Sequence, residues 1–404
     1  MKKVLFLNPY DDPRDGGGAE VIMCRLAESF ARRGLEAVVL STWAGAGFQR
    51  IARNGVRIIR AGIRNVYWPN IKVRQRSAKR MLFHLLDSYN PFMQPILRQV
   101  LQAEKPDVVE IHNLSCWSAA AWGTIAGMKI PSVQVLHDNY VICPKTTMHK
   151  NGANCKGQCT SCRFLRLTHR RLSSHVSAVV GVSRFVLDRH LGLGYFTDVP
   201  IRRAIHNVCD PGQLGIGASL SSARTGKDKN VRIGFIGRVE AVKGIELLLE
   251  SFVRLEIPNV ELSIAGGGET EYVKRLRFRF QSERIRFLGR VRPRDFYPDV
   301  DIVAVPSLWP DTYPTVVTEA LAFGKPVIGS RRGGIPEIIR HGDNGLLFEP
   351  DNAGELSSAL VKLTEDAELR DAMGRAARAS VERFLDHDAW VSTHLALCRE
   401  VARG

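Results

Sequence analysis

The sequence contains no apolar run that approaches the roughly 18 residues needed for a membrane-spanning helix. Its first residues, MKKVLFLNPYDD, place two lysines before an apolar run that is too short for a secretory signal, and no small-residue cleavage site follows. We interpret this segment as a first β-strand, and we expect the protein to be cytoplasmic. The 404 residues, 45% of them hydrophobic and 24% charged, are typical of a globular protein with two domains.

Acidic residues are scarce in the first half of the chain. Residues 1–200 carry 28 Lys and Arg against 13 Asp and Glu, whereas the remaining residues are almost neutral. No acid lies between Glu36 and Asp87, a stretch in which ten basic residues are interleaved with Tyr67, Trp68 and Phe83. Cations among aromatic side chains favour an anionic membrane surface, and the alternatives are a solvated basic face or a nucleic-acid contact. We expect peripheral attachment to the inner face of the cell membrane, and no nucleic-acid partner.

Disulfide bonds are not expected, because the eight cysteines belong to a protein that we predict to be cytoplasmic. Four of them have the spacing C-x11-C-x3-C-x2-C, and they are Cys143, Cys155, Cys159 and Cys162. Four thiolates can hold a structural Zn²⁺ in a tetrahedral site, with His149 as a spare ligand. Packed free thiols are the alternative.

Apolar strand-like runs alternate with amphipathic helical runs, a pattern typical of parallel sheets that are covered on both faces. The first series of strands is 3–7, 37–41, 108–112, 132–136 and 178–182, with helices such as 18–33 and 115–127 between them. A polar stretch rich in Gly and Ser, residues 210–230, has the composition of a linker. The second series is 231–236, 260–265, 285–288, 302–305 and 326–328. The alternation predicts two successive Rossmann-like α/β domains with a cleft between them.

Two carboxylates stand eight residues apart in the segment PSLWPDTYPTVVTEALAFGKPVIGSRRGGIPE. Asp311 lies on a loop, and Glu319 lies about one turn inside a predicted helix over 315–323, with Thr312 as its cap and Pro314 in its first turn. A helical rise of about 1.5 Å per residue separates the two acids by about 10 Å. The free N–H groups of the helix start form an anion site between them. A nucleoside diphosphate sugar fits this layout, with one acid at the sugar and the other at the ribose.

The second domain opens with GFIGRVEAVKG, in which Arg238 follows a buried strand and Lys243 precedes a predicted helix over 244–255. Fixed cations stabilise negative charge that develops in a sheltered site far better than water does. We therefore predict that both side chains bind a departing diphosphate. For this motif alone, cations that merely flank a helix are the alternative.

A glycine-rich turn, Gly16, Gly17 and Gly18, follows the first strand and lets the backbone approach a ligand closely. The spacing is not G-x-G-x-x-G, and the second strand ends without a ribose-binding acid, which argues against a dinucleotide site.

Two histidines end neighbouring strands of the first domain. His137 follows SVQVL, and His112 with Asn113 follows VVEI. Because the carboxyl ends of parallel strands border the ligand crevice, we expect His137 near the reacting sugar and the pair His112–Asn113 towards the acceptor.

The long segment around the two acids resembles the acidic-x7-acidic signature of the retaining GT-B glycosyltransferases of family 4, the glycosyl transferases of group 1. A PS pair, an acid followed by Ala, GKPV and GG-x-PE all match, and GR-x4-KG resembles the family's diphosphate clamp. In that family the first acid is normally Glu, so Asp311 is one methylene shorter. The resemblance is strongest from about Val231 to Glu349.

The resemblance implies a GT-B fold, in which two Rossmann-like domains face a cleft. Residues 1–207 would bind the acceptor and carry a Cys-rich insertion at about 143–162, residues 208–385 would bind the nucleotide sugar, and residues 386–404 would form a helix that packs back on the first domain. The implied activity is hexosyl transfer from a nucleotide-sugar donor to a glycan or lipid-linked acceptor with retention of configuration, in polysaccharide or glycolipid biosynthesis.

The resemblance also implies roles for individual residues. The catalytic set would be His137, Asp311, Arg238 and Lys243. The donor would be bound by Gly16, Gly17, Gly18, Arg238, Lys243, Gly267, Gly268, Gly289, Val291, Asp311, Thr312, Tyr313, Pro314, Thr315, Val316 and Glu319, and the hinge would lie at Asn207.

No cofactor is expected to be required for catalysis, because the cations would stabilise the leaving group. Asp299 and Asp301 spell the D-x-D by which other glycosyltransferases hold a metal, but they precede the strand IVAVPS, where family 4 has a structural acid. Two other function classes stay open: a related GT-B epimerase or phosphorylase, and a non-catalytic basic protein that binds membranes or nucleic acid.

Overall fold

The computed structural model describes residues 1–12, 17–69, 75–150, 152–216 and 230–404. These residues form two compact units. Unit 1 comprises Met1–Ile205 together with Asp388–Gly404, and unit 2 comprises His206–His387. Each unit is built around its own sheet of mostly parallel strands, so the predicted α/β class with two Rossmann-like domains is confirmed.

Unit 1 contains an eight-stranded sheet in the order β10-β9-β6-β5-β1-β2-β4-β3 and a small separate hairpin, β7 with β8. The strands are β1 (Lys3–Leu7), β2 (Glu36–Trp43), β3 (Phe48–Arg53), β4 (Val56–Gly62), β5 (Val108–Ile111), β6 (Ser132–Leu136), β7 (His149–Lys150), β8 (Ala153–Asn154), β9 (Ala178–Gly181) and β10 (Ile201–Ala204). Neighbours in the large sheet are parallel except at the edge, where β3 runs antiparallel to β4. The central strands carry unbroken apolar runs because helices cover both of their faces.

The helices of unit 1 cover this sheet. They are α1 (Gly18–Arg32), α2 (Ser77–Ser88), α3 (Gln94–Glu104), α4 (Ala120–Gly127), α5 (Thr160–Leu165), α6 (Leu167–Leu172) and α7 (Arg184–Gly192), with a 3-10 turn at Ser173–His175. The helix predicted from residue 115 begins only at Ala120, because Cys116 and Ser118 have φ angles of 72° and 61°. Those left-handed conformations are incompatible with a right-handed helix.

Unit 2 contains a six-stranded parallel sheet in the order β13-β12-β11-β14-β15-β16. Its elements are α8 (Pro211–Leu214), β11 (Val231–Ile236), α9 (Ile245–Val253), β12 (Val260–Ala265), α10 (Thr270–Arg279), β13 (Ile285–Gly289), α11 (Pro293–Phe296), β14 (Ile302–Val305), α12 (Thr315–Ala322), β15 (Val327–Ser330), β16 (Gly345–Phe348), α13 (Ala353–Glu365) and α14 (Ala367–Ser380). Short 3-10 turns lie at Ala241–Lys243, Tyr297–Asp299, Ile335–Glu337 and Glu382–Phe384. Most of the predicted linker, residues 217–229, lies outside the described residues.

The last helix, α15 (His387–Val401), belongs to unit 1 from Asp388 onwards. Its side chains pair with the rest of that unit at both ends: the Arg33 guanidinium lies 2.9 Å from the Asp388 carboxylate, and that of Arg203 lies 2.9 Å from Glu400. Between them, His394 contacts the buried Glu110 of β5. Within the described residues, no helix combines the length and apolar character that a bilayer crossing demands.

Several cations of the acid-poor stretch between Glu36 and Asp87 are paired inside unit 1. Arg60 forms a bidentate bond with Asp11, at 2.8 Å to each carboxylate oxygen. Arg57 lies 2.7 Å from Glu104 and 3.3 Å from Glu36. These two cations of β4 are therefore neutralised within unit 1, because their partners are acids from distant parts of the chain. Lys72 and Arg74 lie outside the described residues.

Candidate active site

Three loops of unit 2 meet, backbone against backbone, where β11, β12 and β13 end. The Val239 N–H donates to the Gly267 carbonyl at 2.9 Å, and the Gly266 N–H donates to the Gly289 carbonyl at 2.6 Å. A Cβ on Gly268 would lie 2.2 Å from the Val239 oxygen, so only glycine allows this approach. Gly267, Gly268 and Gly289, which are predicted to bind the donor, thus share one edge of the sheet. Val291 follows them and is half-buried.

Lys243 is brought to Asp311 by a tight contact between the loops after β11 and β14. The Leu308 N–H donates to the Val242 carbonyl at 2.9 Å. A Cβ on Gly244, which has φ +74°, would lie 1.8 Å from the Pro306 oxygen. The Lys243 ammonium forms an ion pair with the Asp311 carboxylate, and both side chains are largely buried.

Aromatic contacts surround the loop that carries Asp311. The Lys243 ammonium lies 5.1 Å from the ring centroid of Trp309, a cation–π contact that the sequence did not predict. The Tyr313 ring stacks on His206, with the ring centroids 5.4 Å apart, and is therefore part of the packing. Among the described residues, the Trp309 indole N–H and the Tyr313 hydroxyl are buried without a hydrogen-bond partner. Buried polar groups without a protein partner commonly form hydrogen bonds with a ligand or an ordered water molecule.

The GG-x-PE motif positions the backbone of Asp311. The Gly334 N–H donates to the Asp311 carbonyl at 2.8 Å. Gly333 has φ +60°, and a Cβ there would lie 1.9 Å from that same oxygen. A glycine at position 333 is therefore needed for the loop to close on the acid.

Helix α12 begins at Thr315, as predicted, and its N-cap is Pro314 in an extended conformation, ψ 104°. Thr312 is therefore not the cap, and Pro314 is not in the first turn. Proline has no side-chain acceptor, so the helix start at Thr315 and Val316 has no side-chain cap from this position. The partial positive charge of the helix start lies a few residues along the chain from Asp311.

Glu319 is held by a tyrosine that the sequence did not signal. The Tyr297 hydroxyl donates to Glu319 Oε2 at 2.9 Å and is also within 3.2 Å of the Val316 carbonyl. Burial, and then the negative charge of Glu319, hold the pKa of Tyr297 well above its usual range. Tyr297 therefore stays a hydrogen-bond donor and fixes the orientation of this half-buried carboxylate.

Arg238 is the most exposed of the predicted diphosphate ligands, with 66% of its side chain accessible. Its guanidinium lies 3.1 Å from Glu240, three residues before Lys243. The two cations of GR-x4-KG thus differ: Lys243 is enclosed by Asp311 and Trp309, whereas Arg238 extends into solvent.

A buried chain of ionisable groups runs along the strand ends of unit 1. His112 Nδ1 lies 2.8 Å from His137 Nε2, and the rings stack with centroids 5.1 Å apart. Glu110 Oε1 lies 3.5 Å from His112 Nε2 and 3.1 Å from His394 Nδ1. The sequence did not predict Glu110, although it alternates with His112 on one face of β5, and nothing in the sequence signalled His394. Asn113 instead accepts from the Ser115 N–H at 2.8 Å in a local turn.

Burial and mutual contacts set the protonation of Glu110 and His137 in this group. Burial alone would raise the pKa of Glu110, but contacts with His112 and His394 hold that pKa below its usual range. Burial, and then the neighbouring His112, hold the pKa of His137 well below 6.5. A neutral His137 can either donate to His112 Nδ1 or accept from it, and the 2.8 Å contact fits both tautomers.

In the glycine turn of unit 1, the carboxylate of Glu20 accepts the hydrogen bond of the Gly17 backbone N–H. The Gly17 N–H donates to Glu20 Oε2 at 2.6 Å, and Asn8 donates to the other oxygen at 3.2 Å. Around Gly18 a Cβ would meet nothing within 4 Å. A phosphate at Gly17 would therefore compete with the Glu20 carboxylate. Gly16 lies outside the described residues.

Comparison with known proteins identifies the family. The model of the glycosyl transferases group 1 matches residues 220–380, and that of the glycosyl transferase 4-like domain matches residues 17–204. The chain belongs to the family 4 glycosyltransferases. The predictions of this family and of a glycosyltransferase activity are confirmed.

Two relatives show how the likeness is spread. This glycosyltransferase is 29% identical over 338 residues to an uncharacterized 42.6 kDa protein in the cps region of Klebsiella pneumoniae, a match that covers 83% of this chain and 87% of that one. It is 35% identical to the D-inositol 3-phosphate glycosyltransferase of Corynebacterium jeikeium, but over 38% of this chain and 39% of that enzyme.

Solved structures confirm the GT-B fold. The Anabaena HepE protein in complex with UDP has a TM-score of 0.74 at 21% identity, covering 99% of this glycosyltransferase and 100% of that chain. Sucrose-phosphate synthase from Thermosynechococcus elongatus has a TM-score of 0.76 at 16% identity, covering 99% of both chains. Likeness at this level of identity shows the fold alone.

The four-cysteine site of the glycosyltransferase is not assembled. Cys143 Sγ lies 3.9 Å from Cys162 Sγ, a spacing that suits two thiolates on one ion, while Cys159 Sγ contacts the Ser161 hydroxyl at 3.2 Å. Across the described ranges, no three His, Cys, Asp or Glu side chains stand close enough to share a metal ion. As placed, the residues supply two ligands rather than four.

Asp301 of the D-x-D sequence has a structural role. Its carboxylate accepts from the Arg232 N–H at 2.8 Å, and its own N–H donates to the Arg232 carbonyl at 2.8 Å. These bonds join the beginnings of β11 and β14, in agreement with the interpretation of Asp301 as a structural acid.

Structural zinc stays a prediction of the cysteine spacing. Elemental analysis of protein purified without chelator should give about one zinc per chain if Cys155 and Cys159 complete the site. Zinc that is absent from wild type, or retained in Cys143→Ser with Cys162→Ser, would contradict it.

Gly333→Ala should destabilise unit 2 far more than Gly342→Ala. Both residues have positive φ angles, +60° and +85°, but a Cβ on Gly342 meets nothing within 4 Å whereas one on Gly333 strikes Asp311. Gly342→Ala is the control and should lose about 1 kcal/mol of unfolding free energy from backbone strain alone. Gly333→Ala should lose roughly 1–3 kcal/mol more than that control. Urea unfolding followed by circular dichroism measures both. Equal losses would show that the contact with Asp311 does not matter.

His137 should remain a neutral imidazole as the pH falls through 6.5, because its pKa is lowered. In ¹⁵N spectra of the imidazole groups, the signals that are missing in His137→Gln should keep the shifts of a neutral tautomer. Free histidine measured in the same buffer serves as the comparison. A His137 signal that protonates together with the free amino acid would contradict the described burial.

Proposed function

We propose that this glycosyltransferase moves a hexose from a nucleotide sugar to a glycan or lipid-linked acceptor, with retention of anomeric configuration. The observation that carries the proposal is the enclosed Lys243, paired with Asp311 and stacked on Trp309 beside the start of α12. A cation, an acid and a helix start in one place suit a sugar diphosphate.

Lys243 and Arg238, together with the N–H groups at the start of α12, would hold the diphosphate. The doubly charged diphosphate would displace the single carboxylate of Asp311 from Lys243, and Asp311 would then be available for the sugar hydroxyls. Glu319, oriented by Tyr297, would accept hydrogen bonds from the ribose. The unpartnered Trp309 N–H offers a further donor to the ligand.

UDP is the first nucleotide to test, since HepE has been solved in complex with UDP and with UDP-glucose. Thermal-shift screening against a panel of nucleotide sugars selects the donor. The identity of the acceptor rests on the family resemblance.

In the proposed mechanism, the bond between the anomeric carbon and the β-phosphate oxygen breaks, and the leaving diphosphate takes the proton of the acceptor hydroxyl. The new glycosidic bond forms on the same face. Fixed cations neutralise the leaving group, so no catalytic metal ion is required. His137 belongs to the catalytic set that the resemblance implies.

The enzyme would work as a peripheral protein on an anionic membrane, where lipid-linked acceptors are presented. The charge of residues 1–200, with 28 Lys and Arg against 13 Asp and Glu, supports this location.

Glu319→Gln and Asp311→Asn should each lower kcat/KM about 100-fold or more, since each removes a charged contact to the donor. Nucleoside diphosphate release is measured in EDTA with and without acceptor, and product configuration is read by NMR. Exposed Glu256→Gln is the control and should keep wild-type activity. Thermal melting shows that the variants fold. A folded Glu319→Gln with normal turnover would refute the donor assignment, and a wild type that is inactive in EDTA would refute metal independence.

A further inference from the structure

Exposed apolar side chains are concentrated in two segments of unit 1. Of the eleven large hydrophobic residues that are exposed among the described residues, seven lie in or beside α2, α5 and α6, with exposures from 43% to 71%. They are Met81, Leu82, Leu85, Tyr89, Phe92, Phe164 and Leu167. Single exposed apolar residues are ordinary, but a contiguous group marks an interaction surface.

The two segments are neighbours in the fold. Helix α2 packs against both α5 and α6. The Thr168 hydroxyl at the start of α6 donates to the Ser88 carbonyl at the end of α2, at 2.8 Å. The seven side chains therefore belong to one region, which we call the α2–α6 surface.

Helix α2 has an inverted arrangement of polar and apolar residues. Its acid, Asp87, is completely buried and accepts from the Cys116 N–H at 2.8 Å and from the Tyr140 hydroxyl. Leu82 and Leu85 are exposed instead, and Tyr89 continues the same stripe at the following turn. A helix that only had to be soluble would carry polar residues on this stripe.

The exposed charges within helices α2, α5 and α6 are all positive, and one exposed acid, Asp198, lies beside them in a pocket that it shares with Leu167, Arg170 and Arg171. Helices α5 and α6 lie in a stretch from Asn139 to Leu187 that contains no Asp or Glu, and Asp87 of α2 is buried. The exposed cations in and beside the three helices are Arg76, Lys79, Arg80, Arg163, Arg170 and Arg171. Unlike Arg57 and Arg60, they lie beside exposed apolar side chains rather than at the β3–β4 edge.

We infer that the α2–α6 surface docks the enzyme on an anionic lipid bilayer, an inference that rests on the proposed work at a membrane. The cations would meet lipid phosphates while Leu82, Leu85, Phe164 and Leu167 enter the acyl boundary, as at other interfacial helices. A second copy of this chain is a poor occupant, because symmetric pairing would bring two sets of cations together.

The test is sedimentation of the full chain with vesicles of phosphatidylcholine alone or mixed equally with phosphatidylglycerol. Wild type should bind the mixed vesicles, and binding should fall with salt. Leu82→Ser with Leu85→Ser should weaken binding more than tenfold, and Arg163→Gln with Arg170→Gln and Arg171→Gln should also weaken it, each cation contributing about fivefold. Phe278→Ser, an 85% exposed residue of α10 in unit 2, is the matched control and should bind like wild type.

Three outcomes would overturn the inference. Wild type could fail to bind anionic vesicles, or Leu82→Ser with Leu85→Ser could bind them like Phe278→Ser. Light scattering could also show that wild type is a dimer and the leucine variant a monomer, which would make the surface an interface between copies. Release of nucleoside diphosphate from the donor in detergent-free solution is measured for every variant. A variant that releases nucleoside diphosphate normally but no longer binds vesicles would separate docking from the proposed chemistry. Wild type that binds vesicles but releases no nucleoside diphosphate would refute the chemistry and leave the docking inference standing.

Discussion

The ion pair between Lys243 and Asp311 is the interaction on which the candidate donor site depends. The two residues belong to loops after different strands of unit 2, and they meet because backbone approaches backbone at two glycines, Gly244 against Pro306 and Gly333 against Asp311. Removing two charges from water is costly, and their attraction can offset that cost only when their geometry is well defined, as it is made here by the backbone contacts. Fixing the cation before a ligand arrives lowers the cost of ordering it when a diphosphate binds.

Positive charge in unit 1 serves two different purposes. Arg57 and Arg60 are used inside the sheet, where Glu104 and Asp11 neutralise them. Around α2, α5 and α6, cations instead lie beside exposed Leu and Phe side chains. An excess of basic residues in a sequence therefore overstates the charge offered to a partner, because the paired fraction depends on which distant acids the fold supplies.

Buried ionisable groups give unit 1 a fixed pattern of protonation. Glu110 keeps its charge because His112 and His394 contact it, and His137 stays neutral because burial disfavours its charged form. A neutral His137 is suited to accepting or donating a hydrogen bond rather than to attracting an anion. The last helix takes part directly, since it supplies His394.

The sequence by itself determined the features that repeat locally or lie close along the chain. Strand and helix periodicity predicted most strands of both sheets, and the segment from Pro306 to Glu337 predicted the family. Tertiary structure decided the rest: Tyr297 as the partner of Glu319, Glu110 and His394 beside the histidines, and Pro314 rather than Thr312 as the helix cap. Local pattern follows from the pitch of a helix or strand, whereas partners that lie tens to hundreds of residues away are set by topology, which spacing alone does not encode.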